Sequence, residues 1–468
     1  MNLLKKKYYF FILLVPFFLI YNFLYDPGYW FDEWATLFSS NPNVSLNQII
    51  NRIKGYETGI PENVPPYYYL ILRFYFKIFG FTAENGRIFS IIFFVLAIFV
   101  FIILSKKLLK KNYFFSVLMF SLNPLLIWMA NETRVDTFLV FFCVLNLLIF
   151  IICINKYSIF FYFLLLISNI LMLSIYPLTF SIFFAQIIFL IFCKYFKKKK
   201  YNFLFFVIIF SFFIYLLINY NYILDKWYNS DNHFATLNTH FFVGFFFNIF
   251  FGDIYFGTIY LLFFIAIFFK NINKIFLDLN NIFLLIIIIS TYSMVIISSI
   301  FFTPIAAPRY IIFLIPVLIL WFNYNFFNLN FLLSKNLFLS FFIFFLAVSN
   351  IIFNNNSKPI KKPPIHNALS LVALNNTRYI YSGDDIYFNL YVSTLRKVVN
   401  KKFYLMNKAD FKEETINSFA YLCLNNPSFA VGKKKLLDNQ KCNKNFDNFK
   451  IKNILVIPDF KIILFSRS

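Results

Sequence analysis

Apolar residues in this chain run in long blocks; they show neither the one-sided stripe of a half-buried helix nor the alternation of a half-buried strand. Blocks of about 18–25 apolar residues, the length that crosses a bilayer as a helix, recur at approximately 8–25, 87–105, 113–130, 137–154, 158–175, 178–193, 202–219, 255–269, 281–300, 309–327 and 337–353. The first follows a short basic start, Met1–Lys7, and has no small-residue cleavage site, so it reads as a retained helix. The pattern breaks at Asn354-Asn-Asn-Ser-Lys-Pro and the polar linker Lys361-Lys-Pro-Pro. Beyond it, β-like runs at Thr377–Ser382, Ile451–Pro458 and Lys461–Ser466 alternate with helix-compatible stretches such as Asp384–Asn400 and Lys408–Leu424. The expected architecture is an α-helical polytopic membrane protein. A transmembrane domain, residues 1–353, has about eleven helices and a large first outer loop at 26–86, and a small α/β domain follows at 354–468.

Composition narrows the class. The chain is 60% hydrophobic and only 13% charged, with a mean hydropathy of +0.71. Soluble domains average about 45–50% apolar and about 25% charged residues. Disordered, collagenous and disulfide-rich secreted classes are excluded. The net charge of +23 would suggest nucleic acid in a soluble protein, but its placement says otherwise. With the N-terminus cytoplasmic, the inside loops carry sixteen lysines against a single acid, Asp278. The outside loops carry eight cations against eleven acids between Asp26 and Asp253. An odd number of spans then puts the C-terminal domain outside a plasma or inner membrane. The bilayer is the expected partner, and nucleic acid is not.

Cys143, Cys153 and Cys193 lie in apolar spans and read as packing residues. Cys423 and Cys442 lie in the outer domain, where the compartment permits a disulfide that spacing alone does not establish. No cluster of Cys and His has metal-ligand spacing, and His233, His240 and His366 are scattered.

Chemistry is therefore sought among charges pressed against the membrane. The first outer loop opens with Phe31-Asp32-Glu33-Trp34, adjacent carboxylates in an aromatic setting. They are either solvated interfacial acids or a base whose affinity for protons is raised by apolar neighbours. Further on, Pro65-Pro66-Tyr67 starts and Gly80 ends a segment with Arg73 and Lys77 one turn apart, which suits a helix lying in the membrane interface. Glu132-Thr-Arg134-Val-Asp136 crowds three charges at an outer rim, costly unless paired or used. Arg309, in Pro308-Arg309-Tyr310, either holds a phosphate bidentately or anchors a helix by snorkelling. The outer loop Asn219–Asp253, with Asp225, Trp227 and His233, reads equally as a lid or an ordinary loop. Charges gathered at one face favour surface chemistry over a lipid-sugar transporter or flippase, which would carry ionisable groups or Gly/Pro breaks within paired helices. A non-catalytic scaffold displaying the outer domain is the other alternative.

In their shared order, Phe31-Asp32-Glu33, Pro65-Pro66-Tyr67-Tyr68-Tyr69-Leu70, Phe79-Gly80, Gly86-Arg87-Ile88-Phe89-Ser90, Asn131-Glu132-Thr133-Arg134-Val135-Asp136 and Pro308-Arg309-Tyr310 resemble the GT-C superfamily of integral-membrane glycosyltransferases. The resemblance covers about residues 8–330. It is greatest to the branch with the protein O-mannosyltransferases, the aminoarabinose transferase of lipid A and the RgtA/B/C/D-like lipopolysaccharide transferases. It implies transfer of a sugar from a polyprenyl-phosphate carrier to a glycan, lipid or protein acceptor at the outer membrane face. Asp32 then matches the catalytic acid and Glu33 its companion. Arg134, Arg309, Arg73 and Lys77 are expected to meet donor phosphate, with Glu132, Asp136, Tyr67 and Tyr310 in support. A departing lipid phosphate needs little acid help, whereas the acceptor must lose a proton, so one aspartate base suffices and attack opposite the phosphate inverts the anomeric centre. A divalent ion, Mg or Mn, on Asp32, Glu33 or Glu132 would suit carboxylate ligands, although no full ligand set is evident. Many relatives have His or Lys before the proline pair, where this chain has Val64.

Overall fold

In lipid a backbone must satisfy its own polar groups, and a long apolar run does so as a helix. The computed structural model describes residues 31–57, 62, 64–110, 113–197, 201–228, 254–275, 278–301 and 308–326 of the membrane part. In the C-terminal part it describes chiefly 365–375, 379–382, 404–406, 416–424, 449–457 and 460–467. The predicted spans 8–25 and 337–353, the polar linker, His233, His240 and most of Asp384–Asn400 lie outside the described residues. The chain divides into two compact units: Met1–Tyr21, Ser90–Asn131 and Val135–Ser357 form the first, and Asn22–Phe89, Glu132–Arg134 and Lys358–Ser468 the second.

In chain order the helices are α1 (Phe31–Ser39), α2 (Leu46–Ile53), α3 (Pro66–Phe79), α4 (Ala83–Leu109), α5 (Tyr113–Ser121), α6 (Pro124–Ala130), α7 (Asp136–Asn155), α8 (Ile159–Ile175), α9 (Phe180–Phe196), α10 (Asn202–Tyr228), α11 (Ile254–Ile275), α12 (Leu279–Phe301) and α13 (Ile315–Phe326). Every predicted span within the described residues coincides with one of them or with the pair α5–α6. Among the described residues six helices are long and apolar enough to cross a membrane, and a seventh if α5 and α6 form one span. That pair bends by 52° at Asn123-Pro124. Proline cannot donate to the preceding turn, and the Asn123 side chain accepts from the Leu126 amide, restarting the helix. The span expected to end at Asn219 runs on in α10 to Tyr228, so Asp225 and Trp227 stand on a helix.

Within the first unit the helices are tied by amides buried in an otherwise apolar bundle. Asn146 of α7 donates to Ser168 Oγ (2.9 Å) and Asn169 Oδ1 (2.7 Å) of α8, and accepts from Gln186 of α9 (2.7 Å). Asn281 and Asn325 exchange hydrogen bonds between α12 and α13 at 2.8 and 2.9 Å. With no hydrophobic drive between helices in lipid, such pairs and close packing hold a bundle together.

In the second unit the C-terminal part forms a mixed five-stranded sheet and a helix, α14 (Ile365–Leu374), in line with the expected α/β domain. The strands β1 (Tyr379–Tyr381), β2 (Tyr404–Met406), β3 (Ser418–Leu424), β4 (Phe449–Ile457) and β5 (Phe460–Arg467) lie in the order β2-β1-β3-β5-β4. β1 pairs in parallel with β2 and β3, and β5 is antiparallel to β3 and β4. The stretch Lys408–Leu424, expected to suit a helix, ends instead in the central strand β3. Phe419, Ala420, Tyr421, Leu422 and Cys423 are all fully buried there, so both faces are covered and no alternation marks the strand. Cys423 and Cys442 form a disulfide, and Cys442 packs with Phe446 against the core of Tyr381, Phe419, Tyr421 and Phe465.

Candidate active site

Asp32 and Glu33 occupy the first turn of α1, where the helix dipole favours negative charge. Their environments differ. Asp32 is 37% exposed and Glu33 is wholly buried. A buried carboxylate is tolerable only when paired and hydrogen-bonded, and Glu33 Oε1 accepts from Arg87 Nε (3.3 Å) and from the Thr133 amide (3.1 Å). Arg87, at 1% exposure, is equally enclosed. Asp32 Oδ2 accepts from Arg134 Nη1 at 2.5 Å. The Glu132–Arg134 segment, a tight turn closed by the Arg134 amide on the Glu132 carbonyl (2.8 Å), is thus held to α1 by two adjacent bonds.

The loop around this pair is built by arginines on backbone oxygens. Arg52 of α2 donates to the Phe38 carbonyl at the end of α1 (2.9 Å), pairs with Glu57 (2.9 Å) and lies over the Phe38 ring. Burial lowers its pKa, and Glu57 opposes that shift. Arg73 of α3 donates to the Val44 carbonyl at 2.6 Å and lies 3.5 Å from that of Pro42, which ties the α1–α2 connection to α3. Arg73, expected at the donor phosphate, therefore holds backbone, whereas Lys77 one turn on is exposed.

α3 starts on Pro66 and stops at Gly80, whose φ of 96° a side chain would resist. Asn85 donates to the carbonyls of Phe79 (2.6 Å) and Gly80 (3.0 Å). One face of α3 buries Tyr68, Tyr69, Leu72 and Phe76, while Ile71, Phe74, Ile78 and Phe79 stay exposed on the other. At fourteen residues the helix is short of the length that spans a bilayer, and its exposed face is apolar beside Lys77. Tyr67 is half-buried; the Tyr69 hydroxyl donates to Glu62 Oε2 (3.0 Å). Burial, then the charge of Glu62, pushes the Tyr69 phenol well above its ordinary pKa, with Arg134 acting the other way.

The remaining expected residues lie in the first unit. Asp136 is buried in the first turn of α7. Arg309 lies over the Tyr310 ring, 5.4 Å from its centroid, in the 3-10 segment Pro308–Leu314 that leads into α13. Of the α1 carboxylates expected to suit a divalent ion, Asp32 is bonded to Arg134 and Glu33 to Arg87. Among the described residues no group of three or more His, Cys, Asp or Glu could hold a metal.

Sequence reading missed Arg87 as the partner of Glu33, and Tyr69, which feels the charge of Arg134. Arg87 carried a signal: it is a cation at the mouth of an apolar span, costly there unless paired. The pairing of Glu33 with the Thr133 amide had no signal, because a backbone donor has no side-chain identity.

What the arrangement offers is a carboxylate reachable from solvent, a guanidinium at 14% exposure beside it, and a closed ion pair behind both. Residues 63–219 match the family described as Dolichyl-phosphate-mannose-protein mannosyltransferase. The fold is similar to that of ArnT from Cupriavidus metallidurans bound to undecaprenyl phosphate, with a TM-score of 0.52 at 10% identity, covering 98% of each chain. It is as similar to ArnT from the same organism in the apo state, with a TM-score of 0.52 at 9% identity and the same coverage. No curated protein sequence matches. The chain thus has the fold of ArnT, and its residues 63–219 are similar to the family described as Dolichyl-phosphate-mannose-protein mannosyltransferase.

Proposed function

We propose that the protein transfers a hexosyl or pentosyl group from a polyprenyl-phosphate donor to a glycan, lipid or protein acceptor, with inversion, at the outer face of the membrane. The observation that carries this reading is the contrast within α1: Asp32 is exposed and Arg134-bound, and Glu33 beside it is sealed against Arg87. Asp32 accepts the proton of the acceptor hydroxyl or amine as that atom bonds to the anomeric carbon. The bond from that carbon to the phosphate oxygen breaks, and the lipid phosphate leaves as an anion. Arg134, partly exposed at the base, stabilises that anion. Exposed Lys77, in the same unit as Asp32 and Arg134, supplies further positive charge for the carrier phosphate. The Glu132 carbonyl closes the turn that presents Arg134. The known binding of undecaprenyl phosphate by ArnT, which shares this fold, supports a polyprenyl carrier.

The orientation rests on the lysine distribution and on the second unit, which collects the first loop and the C-terminal domain. A Cys423–Cys442 disulfide in that unit suits an oxidising, extracytoplasmic compartment.

The test is Asp32→Asn in membranes supplied with polyprenyl-phosphate-linked sugars. Transfer should fall by about a hundredfold or more while the protein inserts at its normal level. Full activity in that variant overturns the assignment of the base.

A further inference from the structure

Two sequence neighbours on α1 bind two sequence neighbours on the Glu132–Arg134 turn: Glu33 takes the Thr133 amide at 3.1 Å, and Asp32 takes the Arg134 side chain. The turn reaches α1 only by lying hard against α4. A Cβ on Gly86 would stand 2.6 Å from both Cγ2 and Oγ1 of Thr133, closer than packed atoms allow, and a tight 3.2 Å from its Cβ. The next residue on α4 is Arg87, which holds the other side of Glu33 Oε1. Glycine inside a helix costs about 1 kcal/mol relative to alanine, and the Thr133 hydroxyl is buried with no hydrogen-bond partner. Neither feature favours local stability; both let the turn sit where it does.

We infer that Gly86, Arg87, Thr133 and Glu33 form a positioning latch: the gap at Gly86 seats the turn, and the buried Arg87–Glu33–Thr133 bonds lock it, so that Arg134 meets Asp32 in the geometry used for transfer. This rests on the reading of Asp32 as base. None of the four need touch substrate; they act through Asp32 and Arg134. A shift of about 1 Å in such a pair can lower turnover by about a hundredfold.

The test separates geometry from activity. In protein carrying Asp32→Cys and Arg134→Cys, a short bis-maleimide should link the two positions, detected as a cross-linked peptide by mass spectrometry. The three thiols outside the disulfide, Cys143, Cys153 and Cys193, are buried. Adding Gly86→Ala should cut the yield severalfold, and adding Thr133→Ala to that, which removes both atoms at 2.6 Å, should restore most of it. In chains with native Asp32 and Arg134, transfer from undecaprenyl-phosphate-linked sugar per inserted molecule should fall about a hundredfold in kcat for Gly86→Ala and return with Thr133→Ala. Unchanged cross-linking in Gly86→Ala, or lost activity that Thr133→Ala does not rescue although the protein inserts normally, overturns the latch. If Asp32→Asn is fully active, the base assignment fails instead, and the cross-linking result still decides the geometry.

Discussion

Asp32 accepts a hydrogen bond from Arg134, 102 residues further along the chain, and remains 37% exposed while doing so. Glu33, one residue on, is sealed with Arg87. The two acids of one dipeptide thus divide into a reachable group and a structural one, and the arginine partners divide in the same way.

Removing one member of the buried pair should be costly. Arg87→Met leaves Glu33 enclosed without its cation, and breaking such a pair typically costs about 3–5 kcal/mol. Thermal unfolding in detergent should show a marked loss for Arg87→Met. Replacing both, as Glu33→Gln with Arg87→Met, should recover part of it, since no buried charge then remains.

Tyr69→Phe tests the hydroxyl bond to Glu62. The Tyr69 phenol has its pKa raised in the folded state, so its contribution is fully present below the unfolded value, about 10, and is lost as pH rises through the higher folded value. Unfolding temperatures followed from neutral to strongly alkaline pH should therefore decline more in the native chain than in Tyr69→Phe. At neutral pH the variant should be the less stable of the two, by about 1–3 kcal/mol, because Glu62 loses a donor.

Asn146 joins three helices of the first unit. Asn146→Leu strands Gln186 and Asn169 of the neighbouring helices, and each interhelical bond of this kind is worth about 0.6–2 kcal/mol in a membrane. A fall in unfolding temperature with transfer activity preserved below it is expected. Loss of activity at full stability would contradict a purely packing role for this amide.

The Cys423–Cys442 bond closes a loop with a sequence separation of 19. Cys423→Ser should destabilise the C-terminal domain by about 2–4 kcal/mol. Limited proteolysis should cut that domain sooner in Cys423→Ser, and the same acceleration should follow mild reduction of the native protein.

Much of this architecture is legible without coordinates. Apolar runs of bilayer length can only be helices in lipid, so α4, α7, α9 and α12 fall where the sequence predicts them. The acids at the head of α1 and the proline start of α3 follow from equally local chemistry. Where local signals conflict, prediction failed: β3 is hydrophobic on both faces and flanked by strands from distant segments, and it forms the end of Lys408–Leu424, a stretch that read as helix-compatible.

Sequence alone determined that the chain carries repeated apolar runs of membrane-spanning length and that Asp32 and Glu33 stand side by side soon after the first of them, because those properties depend on composition and order. Only the tertiary structure decided which acid is reachable. Burial and ion pairing are set by contacts across long separations, such as Glu33 with Thr133 and Arg87, and by the absence of a side chain at Gly86 that lets them form. No local pattern records which of two adjacent carboxylates will face inward. The twist of one helical residue, about 100°, puts one against an arginine in the core and leaves the other at the surface.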